Sequence, residues 1–322
     1  MFTLDFKIPN PSTQIHYTDS LLSMGSCFSD NIGKKLADHK FDVLSNPFGT
    51  IYNPISIFQT IKNALKNEVD KKDLIEVQGV YYHWQAHSAV SARDRENLLS
   101  SLNNQITLTN QQLAKSNWII ITFGSAYVYR FNQSGNIVAN CHKVPKREFT
   151  KELLTLEEIT TEFKSLIESF NSIGIEPNIL LTVSPVRHVR DGLIENNLSK
   201  SILIQAVQEL LKEYEQVHYF PSYEIMIDEL RDYRYYKEDM VHPSDQAINY
   251  IWDQLISSYF DQESQNFIQE LSKLLKAINH RPFHPQTTEH QRFIRNTIEK
   301  LKTFNYQVDV SKEIKILQQQ LF

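Results

Sequence analysis

Three features of the sequence predict an α/β fold: a three-layer α/β/α arrangement around a doubly wound, mainly parallel, five-stranded sheet. Five short apolar runs, at 21–24, 41–44, 118–123, 179–183 and 217–220, alternate with segments whose apolar residues recur at helical spacing. The third run, WIIITF at Trp118–Phe123, is continuous enough to be covered on both faces, as in a parallel sheet. The strand-helix alternation then selects the doubly wound class, with right-handed crossovers.

Each element has a local cause. The first run ends in Gly25-Ser26, after which Phe28, Ile32 and Leu36 recur beside Lys34 and Lys35, predicting strand, sharp turn, helix. The second is broken by Asn46-Pro47-Phe48-Gly49, and Pro54 opens a helix through Ile57, Ile61 and Leu65. Residues 73–87 form an extended excursion containing Tyr81, Tyr82, His83 and Trp84, followed by a helix near 91–102. Residues 127–131 and 136–139 flank the turn-rich Asn132-Gln133-Ser134-Gly135 and predict a β-hairpin insertion. Helices are expected at 156–170 and 196–214, and another after Pro243 through Ile248, Ile251, Trp252 and Ile256. From 261 onward Phe267, Leu271, Leu274 and Leu275 keep helical spacing, and Pro282 and Pro285 divide the stretch. Residues 1–260 therefore form one α/β domain, and 261–322 a helical C-terminal extension.

Composition narrows the function. A hydrophobic share of 41% in 322 residues is enough for a large core, which sets disorder aside. The net charge of -5 is not gathered into blocks of one sign, so a nucleic-acid partner is not expected. No apolar run approaches the roughly 20 residues of a membrane-spanning helix, and the N-terminus lacks a basic-then-apolar secretory pattern. The expected location is the cytoplasm, with no membrane partner. Cys27 and Cys141 are too few for a disulfide framework or a four-cysteine zinc site, and no histidine spacing matches a zinc signature. No cofactor is predicted.

In doubly wound sheets ligands bind beyond the carboxyl ends of the strands. That rule singles out the turns at Gly25-Ser26, Asn46–Gly49, Gly124-Ser125, 184–188 and 221–223. A serine hydroxyl needs a base and an exposed or strained position, and Ser26, between a strand end and a helix start, has the position. Alone it is better read as an ordinary helix N-cap. The segment Asp239-Met240-Val241-His242-Pro243-Ser244 supplies a base, because one turn brings a carboxylate onto the imidazole and fixes its tautomer. Pro243 suits a first helical position, which would set His242 at a helix N-terminus. The expected catalytic group is therefore Ser26, His242 and Asp239. His87, His142 and His188 lie near strand-end loops as pocket candidates. Arg187 either holds a substrate anion or pairs with Asp191. Cys27 is read as an inward-packed thiol, and the tyrosines at 233, 235 and 236 as packing or pocket wall.

The string Gly25-Ser26-Cys27-Phe28-Ser29 resembles the name-giving motif of the GSCFA family. The likeness continues through NPFGTIYNP, ITFGSAYVY, ANCHKVP, SPVRH, NNLSK and DMVHPS, over about residues 20–258. The motif's fifth position is Ser29 rather than alanine. The resemblance implies an SGNH/GDSL-type, flavodoxin-like fold and serine esterase chemistry. It also implies an oxyanion hole built from the Ser26 N–H, Gly49 in the Asn46–Gly49 turn, and an asparagine after the third strand. That third turn reads Gly124-Ser125-Ala126-Tyr127 and has no asparagine. Either Ser125 or a backbone N–H takes its place, or Asn140 or His142 reaches in from the hairpin. The resulting expectation is hydrolysis of an acyl or acetyl ester on a small molecule or carbohydrate. The alternatives are O-acyl transfer by the same triad and a non-catalytic binding or scaffold role.

Overall fold

A computed structural model describes residues 6–304, 306 and 308–321; the N-terminal residues 1–5, on which the reading of the leader partly rests, lie outside them. The chain begins with β1 (Ser20–Gly25), α1 (Cys27–Asp38), β2 (Asp42–Ser45) and α2 (Pro54–Lys66). Ser26 caps α1, while Asn53 caps α2 with Pro54 at its first position, where the missing N–H costs nothing. The expected excursion is a hairpin of β3 (Leu74–Val77) and β4 (Val80–His83), and α3 (Arg95–Lys115) begins later than predicted because Asp94 caps it. After β5 (Trp118–Phe123) come β6 (Tyr127–Phe131), β7 (Ile137–Val138) and β8 (Phe149–Leu153). The insertion is thus three-stranded rather than a simple hairpin, in the order β7-β6-β8.

Next are α4 (Leu156–Ser172), opened by a Thr155–Glu158 capping box, then β9 (Asn178–Val183), α5 (Leu193–Glu213), β10 (Val217–Tyr219) and the short α6 (Ser222–Glu224). The chain closes with α7 (Asp245–Tyr259), α8 (Gln262–Ile278), α9 (Thr288–Lys302) and α10 (Ser311–Gln318). The helical C-terminal region is present as expected.

All five strands of the central sheet are parallel, in the order β10-β9-β5-β1-β2. Counting only these strands along the chain, the order is the flavodoxin-like 2-1-3-4-5, whose direction of winding reverses between β1 and β5. The register sets Gly25 of β1 opposite Thr122 of β5. Alternation along the strands divides the core. Leu22, Met24, Ile119, Ile121 and Phe123 face one helical layer with Phe58 and Phe163, while Leu21, Trp118, Ile120 and Leu180 face the other with Phe28, Trp252 and Phe267. Burying each such side chain contributes roughly 1.5–3 kcal/mol, so the sheet is a rigid platform and its loops carry the variable geometry. No helix among the described residues is long and apolar enough to cross a membrane.

Candidate active site

The reversal point puts the ends of β1 and β5 side by side, and the backbone there has little freedom. Gly25 has φ +142°, and a Cβ on it would lie 2.2 Å from the Thr122 carbonyl oxygen. Only glycine lets β1 leave the sheet at that point. Its N–H donates to Asn46 Oδ1 at 2.8 Å, and Asn46 Nδ2 donates to Asp30 at 2.6 Å. Asn46 therefore ties the second turn to the first, and Gly49 (φ +75°) closes that turn against the Cβ of His87.

Ser26 follows in extended conformation, φ -70° and ψ 174°, and accepts the Phe28 N–H at 3.4 Å. It is 1% exposed. The backbone donors expected around it are occupied in this conformation. Ser26 N–H donates to Thr122 O at 3.2 Å, Gly49 N–H to Asn46 O at 2.8 Å, and Gly124 and Ser125 N–H both to Tyr52 O at 2.7 and 3.0 Å. Ser125 Oγ meets Ser199 Oγ at 3.2 Å and accepts the Tyr127 N–H at 3.0 Å.

Asp239 and His242 form the expected pair. Asp239 Oδ2 lies 2.6 Å from His242 Nδ1, and its Oδ1 accepts the N–H groups of Val241 and His242 at 2.9 and 3.0 Å. Met240 adopts a left-handed φ of +57° to close this turn. The His242 and Val241 N–H bonds and the ring hold the Asp239 carboxyl down to about 2, so it is ionised throughout the neutral range. Both side chains remain open, 45% and 48% exposed. Among the described residues His242 Nε2 has no hydrogen-bond partner, and Ser26 and His242 are not bonded to one another. One expectation is corrected: α7 is capped by Ser244, so Pro243 precedes the helix and His242 is not at its first turn. Serine accepts the Ala247 N–H, and Pro243 instead bridges to Tyr236.

The Asp-His turn is tied to the strand-end region by Arg187, whose N–H makes a long bond of 3.5 Å to Val241 O and whose guanidinium lies 5.2 Å from the Tyr236 ring. Asp191 pairs with Lys151 at 2.7 Å and His188 at 3.4 Å, which leaves Arg187 outside that cluster. Burial pushes the His188 imidazole below its ordinary value.

The hairpin candidates serve the hairpin. His142 is 1% exposed, its Nε2 lies 2.8 Å from His83 O and its Nδ1 3.0 Å from Ser88 Oγ, so both ring nitrogens are engaged. Asn140 Oδ1 accepts from Ser88 Oγ and His142 N–H. Burial drives His142 down to about 4. Cys27 is partly buried and its thiol is pushed up by burial and by Asp30, which leaves little thiolate for attack.

Lys200 is the residue that sequence reasoning passed over. It is 1% exposed, and its Nζ donates to Gly124 O at 2.8 Å and Ser184 O at 2.7 Å, joining the ends of β5 and β9. Burial lowers its ammonium to about 7. A second serine-histidine contact, Ser272 Oγ to His39 Nε2 at 2.8 Å, borders a cleft of about 530 Å³ between α7 and α8. Ser272 sits within α8, where backbone N–H groups are taken by the helix, so nothing there is arranged to receive an oxyanion. Among the described residues no group of three or more His, Cys, Asp or Glu side chains is placed to hold a metal.

Fold and site together define a doubly wound α/β protein with a serine at its first strand end and an aspartate-histidine pair in a later loop. The GSCFA family model matches residues 20–255, and a second, for the C-terminal domain of GSCFA domain proteins, matches residues 271–321. The chain belongs to the GSCFA family. No curated protein and no solved structure matches it.

Proposed function

We propose that this protein is an ester hydrolase of SGNH/GDSL type, in which Ser26 attacks an acyl or acetyl ester on a small molecule or carbohydrate. The observation that carries this reading is the Asp239–His242 contact of 2.6 Å, with Nε2 left open, in a loop tethered to the β9 end of the same sheet edge that presents Ser26. Asp239 fixes the proton on Nδ1, so Nε2 is the basic nitrogen and stabilised imidazolium can form. Among the described residues the Ser26 hydroxyl has one weak 3.4 Å contact, which it gives up at small cost when it turns toward His242. The Ser26–carbonyl carbon bond then forms, the proton passes to Nε2, the alcohol departs with that proton, and water releases the acyl group.

O-acyl transfer shares the first half of this sequence and differs only in the acceptor. A binding role draws on a different observation, the occupied N–H groups of Ser26, Gly49, Gly124 and Ser125. Hydrolysis of short p-nitrophenyl esters separates the binding reading from the two catalytic ones, and the split of the acyl group between water and an added alcohol separates hydrolase from transferase. The expected result is turnover by wild type and a loss of about 10³-fold or more in Ser26→Ala. Equal rates for the two proteins rule the hydrolase out.

A further inference from the structure

Lys200 lies at the centre of the sheet edge but has no part in the steps above. Its burial is hard to account for as fold stabilisation alone. Removing an ammonium from water is costly unless an anion compensates, and lysine is almost never fully buried without a partner. The titratable groups around it are Cys27 from α1, Tyr223 from α6 and His188 from the loop after β9, and none is a carboxylate. Tyr223 offers only its ring, 5.7 Å from Nζ.

An ammonium carries three N–H donors. Two reach the Gly124 and Ser184 carbonyls, and among the described residues the third has no hydrogen-bond acceptor. The location is equally specific. Gly25 pairs with Thr122, so Ser26 and Cys27 leave β1 alongside Phe123 and Gly124, whose carbonyl holds Lys200. The Lys200 charge is felt at the Cys27 thiol. The turn after β5 has no asparagine to offer, and its backbone N–H groups at Gly124 and Ser125 already donate to Tyr52.

Building on the ester-hydrolase reading, we infer that Lys200 is a catalytic residue whose third N–H donates to the oxygen that becomes negative when Ser26 adds to a carbonyl or phosphoryl centre. The electron pair of the double bond moves onto that oxygen as the Ser26 bond forms, and Lys200 keeps its proton. The two carbonyl bonds aim the ammonium in advance, so little reorganisation accompanies the step. Because burial brings the ammonium down to about 7, the charged donor is present below that pH and lost above it.

The test is the rate of Ser26 modification by a fluorophosphonate, followed by intact mass from about pH 5 to about pH 9. Wild type should be labelled with a rate that falls above about pH 7. Lys200→Met, checked for native circular dichroism, should be labelled about 10²–10³-fold more slowly and without that fall. A folded Lys200→Met with the wild-type rate and profile overturns the assignment while leaving the hydrolase reading intact. If Lys200→Met does not fold, the wild-type profile decides: a fall near neutrality supports the role, and a level rate to about pH 9 overturns it. Absence of labelling at every pH defeats the hydrolase reading and this one with it.

Discussion

His142 and Lys200 are buried ionisable side chains whose energetics run in the same direction, each favouring its neutral form through loss of water. For His142 the consequence is a pH-dependent stability. Its imidazole is neutral in the fold down to about 4, whereas in the unfolded chain it takes a proton near the ordinary histidine value of 6.5. The stabilisation is therefore complete above that value and is lost as pH falls from there toward 4, because only the unfolded chain gains the proton. Urea titration should show wild type losing about 2 kcal/mol more than His142→Gln between about pH 7.5 and about pH 5. Equal losses would remove His142 as the cause. At this scale the sequence was only partly legible. Asp239 and His242 were readable because a three-residue spacing closes one turn. Lys200 was not, since a lysine on an amphipathic helix ordinarily marks the solvated face. Nothing local reveals that its Nζ reaches Gly124 and Ser184, which lie 76 and 16 residues away.

Among the elements, the β1–α1 turn does most to place Ser26, the proposed nucleophile. Gly25→Ala puts a methyl carbon 2.2 Å from the Thr122 carbonyl oxygen, at a φ that L side chains rarely adopt. We expect a destabilisation of about 3 kcal/mol or more, read from the urea midpoint, with Ser26 displaced from the β5 end. A change below about 1 kcal/mol would show that the turn relaxes freely. The strands of the central sheet were legible because each is an uninterrupted or alternating apolar run between turn residues. β8 was not, because only Phe149 is buried among its first three residues while Thr150 and Lys151 are exposed. Its strand character comes from pairing with β6, from Tyr127↔Leu153 to Phe131↔Phe149. The start of α7 was misplaced by two residues for a related reason. Pro243 fits a helix start by its φ, but Ser244 next to it supplies the side-chain acceptor that a helix end needs.

For the whole molecule, the parallel order β10-β9-β5-β1-β2 gathers strand ends from distant parts of the chain at one edge, where the winding reverses between β1 and β5. Ser26 follows the end of β1 at that reversal, Lys200 spans the ends of the next two strands, and Arg187 links β9 to the turn bearing His242. The C-terminal helices reinforce the platform from outside, with Phe267 of α8 packed on Tyr17 and Phe41. Alternating apolar runs made the parallel sheet, and with it the gathering of these strand ends at one edge, foreseeable. The occupied backbone N–H groups around Ser26 were not foreseeable, because they depend on how Tyr52, Asn46 and Thr122 engage the surrounding backbone. The most direct measurement is peptide mapping after fluorophosphonate treatment of wild type, Ser26→Ala and His242→Ala. One adduct on Ser26 in wild type, none in Ser26→Ala, and labelling slowed about 10²-fold or more in His242→Ala is the expected result. An unmodified wild-type protein, or a His242→Ala variant labelled as fast as wild type, would contradict a shared serine-histidine site.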